Sequence, residues 1–130
     1  MTDPIADLLT RIRNALRVNK TMIEVNVSKM AIAIAKILKD NSLINDFKIN
    51  QTKPPKMVIF LKYSDDGKPF IEDLKRISKP GRRVYAGYKD LKPLRSGFAF
   101  RIVSTNRGVM IDSEAKRRKL GGEIICEVYY

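Results

Sequence analysis

The apolar residues of this 130-residue chain change period partway along it, and that change limits what it can fold into. Near the start they recur at helical spacing. Ile5, Leu8, Leu9, Ile12, Ala15 and Leu16 form one stripe, with Asp7, Thr10, Arg11, Arg13 and Asn14 opposite. Asp3-Pro4 opens this helix well, because the carboxylate accepts a free first-turn N–H and proline lacks an N–H that would need a partner. Ser28 caps a second helix, KMAIAIAKILKD, with Met30, Ile34, Ile37 and Leu38 as its apolar positions and Asn41-Ser42 as its end. Between the helices, MIEVNV at 22–27 alternates as a half-buried strand does, and 47–50 and 56–63 read as strands joined at TKPP. The order α-β-α-β-β predicts a small sheet with helices on one face.

After the turn signal Asp65-Asp66-Gly67-Lys68, short strands and frequent turns take over. Residues 71–78 are read as a strand, although Ile71, Leu74 and Ile77 fit either period. Then come the Lys79-Pro80-Gly81 turn, a strand at 82–85, and a helical turn within 89–95 that Pro93 interrupts. A strand at 98–103, the turn STNRG at 104–108 and a strand at 109–111 follow. Asp112 is expected to cap the short helix SEAKRRK, Leu120-Gly121-Gly122 to stop it, and 123–129 to form a last strand. The expected fold class is α+β with two subdomains. Residues 1–64 form the first, and 65–130 the second, which is mainly short antiparallel strands with a short helix. Cys126 lies in an apolar run and reads as a buried small residue.

Charge narrows the function. The net charge is +12, and residues 75–119 hold 14 Lys and Arg against 3 Asp and Glu, whereas the rest holds 12 against 11. A basic stretch on a balanced chain favours a surface for a polyanion (RNA, DNA or an anionic membrane) over a face that serves solubility alone. No apolar run approaches the roughly 18 residues of a membrane span. MTDPIADLL carries no basic leader segment, and no strongly amphipathic basic helix with exposed aromatics disposes the chain toward membranes. With no histidine and one cysteine there is no zinc set, no internal disulfide and no histidine base for a serine nucleophile. Walker A and G-x-G-x-x-G motifs are missing too. No cofactor, metal or catalytic residue is expected, and an RNA-modifying enzyme is the remotest alternative.

Four constellations remain. Ser104, Thr105 and Asn106 are short donors and acceptors, joined by the cation Arg107 and by Gly108, which permits a positive φ. Such a set can meet base edges and ribose hydroxyls, yet any hairpin turn has a similar composition. Lys79, Arg82 and Arg83 stand beside Tyr85, which either stacks on an unpaired base or packs in a strand while the cations are solvated. Gly122 and Glu123 are the odd members. An acid on such a surface costs Coulomb energy unless it accepts a base amino group or orients a cation; the alternative is a helix stop followed by an exposed strand residue. Lys116-Arg117-Arg118-Lys119 suits a helix C-terminus and adds unselective affinity.

DPIADLLTRIRNA, RISKPGRRVY, VSTNRGVMID and LGGEIIC occur in this order with gaps that closely resemble the bacterial and organellar family of ribosomal protein eight of the small subunit. The resemblance spans essentially the whole chain. It implies a structural protein of the ribosome, in the bacterial cytoplasm or an organelle. Such a protein binds the central domain of small-subunit ribosomal RNA early and helps to shape the platform. It implies two α+β subdomains with the main RNA contact on the second. Ser104, Thr105 and the third loop position would meet the distorted core of an RNA helix, with Tyr85, Gly122 and Glu123 at the same surface. Thr10, Arg13 and Asn14, with Ser28 and Lys29 at a helix start, would make a second contact; helix N-termini suit phosphates. Lys79, Arg83 and Arg107 join the interface from the charge reading. Small-subunit proteins five and twelve are implied neighbours. So is the family's habit, in some bacteria, of repressing its own messenger RNA, which makes a translational repressor the alternative function. The third loop residue here is Asn106 where the family usually has Ser, and Ile111 stands where Thr is common. Asparagine is longer and adds an amide donor, which changes what that position offers an RNA.

Overall fold

In the computed structural model, which describes residues 3–130, the first helix begins as its residues dictate. Asp3 accepts the Ala6 N–H at 3.1 Å, and Pro4 opens α1 (Pro4–Arg17), which buries Leu8, Leu9, Ile12, Ala15 and Leu16. Strand β1 (Met22–Asn26) leads to α2 (Lys29–Asp40), capped by Ser28 Oγ accepting the Ala31 N–H at 3.1 Å. The inward stripe of α2 is Ala31, Ile34, Ala35 and Leu38, while Met30 and Ile37 are half-buried. The two alanines let the helix lie close to its neighbours, which turns the bulkier Met30 and Ile37 to the flanks.

Strands β2 (Ile44–Asn50) and β3 (Lys56–Leu61) complete an antiparallel sheet in the order β1-β3-β2. Val25 and Ile49 both pair with Met57, and Ile23 and Phe47 both pair with Ile59, so apolar side chains line one face. β2 begins earlier than its alternation suggests. A register shift between Ile44 and Asp46 breaks the period there, and Asn45 Nδ2 donates to the Leu61 carbonyl at 3.1 Å. The turn after β3 folds the chain back: Ser64 N–H donates to Lys68 C=O at 2.8 Å, and Tyr63 pairs with Pro69. Two compact units result, divided between Glu72 and Asp73.

The second unit is built on its last strand, β8 (Gly122–Tyr129). β6 (Ala99–Thr105) pairs along one side of it, with β7 (Gly108–Ile111) beyond. β4 (Asp73–Arg76) and β5 (Tyr85–Ala86) pair with opposite ends of β8, at Cys126–Tyr129 and at Gly122–Glu123. The strands expected at 71–78 and 82–85 are therefore shorter and shifted. The reason is a tight Pro80-Gly81 turn, closed by mutual backbone bonds between Lys79 and Arg82 of 3.0 and 2.9 Å, which takes Arg82 out of the ladder. In place of one helical turn at 89–95 there are two one-turn 3-10 helices, Tyr88–Asp90 and Arg95–Gly97, with Pro93 between them.

A bulge sets the core of this unit. Ile102 pairs with Cys126 but Val103 pairs with Ile124, so Ile125 is the extra residue, and Ile124, Ile125 and Cys126 are all buried. Leu91, Val103, Met110, Ala115 and Ile124 pack together. Burial pushes the Cys126 thiol up to about 12, which rules it out as a nucleophile near neutral pH.

Asp112 is the first residue of α3 (Asp112–Arg117) and not its cap. Its Oδ2 accepts from the Arg101 N–H at 3.1 Å and from Arg101 Nη1 at 3.0 Å, and the same guanidinium nitrogen donates to the Lys92 carbonyl at 2.7 Å. Nor do Gly121 and Gly122 stop this helix. Lys119 takes the left-handed conformation at φ 57°, and Leu120 N–H donates to Ala115 C=O at 2.8 Å. The Arg101–Asp112 side chains are 18% and 9% exposed, so losing one leaves a largely buried charge. Asp112→Ala is expected to lower the unfolding free energy by about 3 kcal/mol in urea denaturation. A loss below about 1 kcal/mol would place the pair with ordinary surface ion pairs.

Candidate nucleic-acid interface

The β6–β7 hairpin pairs as far as Thr105 with Gly108, so its turn consists of Asn106 and Arg107 alone. Ser104 and Thr105, expected within a longer turn, lie on the strand. Two residues suffice because Gly108, at φ +113°, takes a left-handed position after them. Thr105 Oγ1 accepts the Arg107 N–H at 3.0 Å and donates to Gly108 C=O at 2.8 Å, which locks the turn from within. Asn106 and Arg107 are exposed at its tip, and neither side chain has a hydrogen-bond or ion-pair partner among the described residues.

One row of the sheet joins the other candidates. Glu123 pairs with Tyr85 on one side and with Ser104 on the other, and residues directly opposite across strands share a face. Tyr85 is 69% exposed, so of the two readings open in the sequence the packed one fails. Glu123 Oε2 accepts from Arg83 Nη1 at 3.1 Å and from the hydroxyl of Ser78, whose Oγ in turn accepts the Val84 N–H at 3.1 Å. The acid thus holds a cation in place, which offsets its own repulsion of anions. Oε1 has no partner among the described residues and is left as an acceptor. Lys79 and Arg82 are exposed on the turn leading to this row.

Gly122 and Gly121 bring these strands together. A Cβ on Gly122 would lie 2.1 Å from the Ser104 carbonyl oxygen, and one on Gly121 would lie 2.6 Å from that of Ala86. The pair serves close backbone approach, and the expected helix stop is supplied by Lys119 instead. On α3, hydrogen bonding between Arg117 and Glu114 holds the Glu114 carboxyl below its usual range. Lys116, Arg118 and Lys119 are exposed and carry no ion pair among the described residues.

In the first unit, Thr10 and Asn14 are exposed on α1, and Arg13 Nη2 donates to Thr10 Oγ1 at 3.2 Å. Asn14 lines a groove of about 690 Å³ with Arg11, Val18, Lys20, Met22 and Glu24. Ser28 lines a separate, smaller groove with Asp7, Leu8 and Asn26, and the exposed Lys29 follows it. The α1 trio therefore forms one patch, while Ser28 belongs to another. Its hydroxyl oxygen is already engaged as the cap of α2. Sequence reasoning missed Ser78 altogether. The available signal was a hydroxyl at a strand position immediately before the Lys79-Pro80-Gly81 turn.

Residues 3–129 match a family described as Ribosomal protein S8. Proteins named small ribosomal subunit protein uS8 are similar over almost their whole length. That of Pseudomonas aeruginosa (strain UCBPP-PA14) is 48% identical, and that of Acholeplasma laidlawii (strain PG-8A) 45% identical, each over 99% of this chain and 98% of the relative. That of Rubrobacter xylanophilus is 44% identical with the same coverage.

The glycine geometry gives a paired forecast. Gly122→Ala is expected to destabilise the protein by about 1–3 kcal/mol in thermal or urea denaturation, since the strands must separate to admit the methyl group. Gly81→Ala, where a Cβ meets nothing within 4 Å, is expected to behave as wild type. Equal stability of the two variants would show that close approach is not what Gly122 provides.

Proposed function

The chain belongs to the ribosomal protein S8 family, and from that premise we propose that it binds the central domain of small-subunit ribosomal RNA through the face where Tyr85, Glu123 and Ser104 meet. Membership makes it a structural protein of the small ribosomal subunit and not an enzyme. The finer reading is supported above all by one observation: an aromatic ring 69% exposed beside a carboxylate and a hydroxyl on a strand-built surface.

Binding of this kind divides into attraction and selection. Lys79, Arg82, Arg83, Arg107 and the α3 cations draw in phosphates and release counterions, whatever the base sequence. Selection needs base edges, and a regular RNA helix hides them in a deep, narrow groove. A helix with bulged or splayed bases exposes them. Tyr85 then stacks on a free base face, Glu123 Oε1 accepts an exocyclic amino group, and the Ser104 hydroxyl bonds to a base edge or ribose. Asn106, at the hairpin tip, offers both an amide donor and an acceptor. Thr105 contributes chiefly by holding that tip in shape, and Gly122 by letting the strands close. The α1 patch of Thr10, Arg13 and Asn14 makes a second, mainly phosphate and ribose contact, with Lys29 as a separate cation. Platform assembly follows from early occupancy of the central domain. A messenger segment that copies the same irregular helix fits the same face, which is how self-repression would arise.

Two measurements test this. Tyr85→Ala is expected to weaken binding to a central-domain transcript by about 1–3 kcal/mol while leaving binding to a fully paired duplex of equal length nearly unchanged. Equal losses on both RNAs would remove Tyr85 from selection. Lys116→Ala with Lys119→Ala is expected to reduce the slope of log affinity against log salt by roughly 2, with the preference between the RNAs intact. An unchanged slope would take α3 out of the interface.

A further inference from the structure

We infer that Ser78 is a positioning residue of the RNA-binding face, setting Glu123, Arg83 and Tyr85 through one buried hydroxyl; the inference rests on the reading of that face given above. Ser78 is 0% exposed, and it and Asp112 are the buried polar or charged residues among those described. A buried hydroxyl is expensive unless both its donor and its acceptor capacity are used. Here both are. It donates to Glu123 Oε2 and accepts the Val84 N–H at 3.1 Å.

These partners matter for what they carry. Ser78 and Val84 are the two ends of the excursion that holds Lys79, Pro80, Gly81, Arg82 and Arg83. One hydroxyl fastens both ends. Both ends are also tied to the same residue of β8, since Ser78 N–H donates to Ile124 C=O at 3.0 Å and Ile124 N–H donates to Val84 C=O at 2.8 Å. The side-chain bond adds what the backbone bonds cannot, because it reaches past Ile124 to the carboxylate of Glu123. That carboxylate oxygen is the one that holds Arg83 at 3.1 Å. Tyr85 follows Val84 and pairs with Glu123. With Oε2 held by Ser78 and Arg83, Oε1 is fixed as the acceptor that faces an RNA.

An alanine at this position would pack as well as serine and would leave the Val84 N–H without its side-chain acceptor. It would also free the Glu123 side chain to rotate with Arg83, which is 46% exposed. The face would then keep its charge and lose its preorganisation, so selection falls while attraction stays.

The test compares binding of a central-domain transcript and a fully paired duplex of equal length by wild type, Ser78→Ala, Glu123→Ala and the double variant. Ser78→Ala is expected to lower the preference for the transcript about tenfold, with the salt slope unchanged because no cation is removed. The double variant is expected to lose less than the two single losses combined, since part of what Ser78 does passes through that carboxylate. Wild-type preference in Ser78→Ala, or a full additive loss in the double variant, would overturn the inference. If Ser78→Ala does not fold at the binding temperature, Ser78→Cys has nearly the same shape with a somewhat larger atom and keeps a weak donor. It is expected to lose part of the preference, and full preference there would count against the inference equally. A wild-type protein that does not distinguish the two RNAs overturns the RNA-face reading and this inference with it. A wild type that does distinguish them, with variants that match it, overturns this inference alone.

Discussion

Everything in the second unit depends on how closely two neighbouring strands approach the start of β8. Backbone oxygen atoms of Ser104 and Ala86 occupy the space that side chains at Gly122 and Gly121 would fill. Only a residue without a Cβ lets β5 and β6 flank β8 at that point. Once they do, Tyr85, Glu123 and Ser104 become neighbours without any long loop to position them. A surface built on paired strands keeps its geometry better than one built on flexible arms, which lowers the entropy lost when a ligand is bound.

The same closeness explains how an acid survives in a basic surface. Glu123 is tied from two directions, by Ser78 from the interior and by Arg83 from the solvent side. Its charge holds the arginine close and partly compensates it. The surplus of cations in residues 75–119 then acts as a field, and the row of aromatic, carboxylate and hydroxyl groups acts as a template. A more deeply buried pair, Arg101 with Asp112, ties β6 to the first turn of α3, the helix that ends in exposed cations.

Much of the first unit was legible because its signals are local. Asp3-Pro4 and Ser28 act within one turn of themselves, and the stripe of Leu8, Leu9, Ile12, Ala15 and Leu16 needs no knowledge of the partner it packs on. The order α-β-α-β-β and the α+β class follow from such signals. What escaped was non-local. β2 begins at a bulge that breaks its alternation. Ser104 and Thr105 look like turn residues, and only the positive φ of Gly108 shortens the turn enough to leave them on the strand. Gly121-Gly122 resembles a helix stop because the contacts that demand glycine come from Ser104 and Ala86, far away in the chain. Asp112 resembles a cap until Arg101 is seen beside it. The candidate site was legible as residue types, through Tyr85, Glu123 and the STNRG stretch, but its arrangement was not. No sequence pattern states that Glu123 lies between Tyr85 and Ser104, or that Ser78 holds it there.

The central claim is that RNA is read on this one row of the sheet. Titrating a central-domain transcript into isotopically labelled protein and following each backbone amide tests it directly. The account predicts the largest shifts at Tyr85, Ser104, Asn106, Arg107 and Glu123, with smaller ones at Thr10, Arg13 and Asn14. Shifts spread evenly over the exposed lysines and arginines, with Tyr85 and Ser104 unmoved, would contradict it.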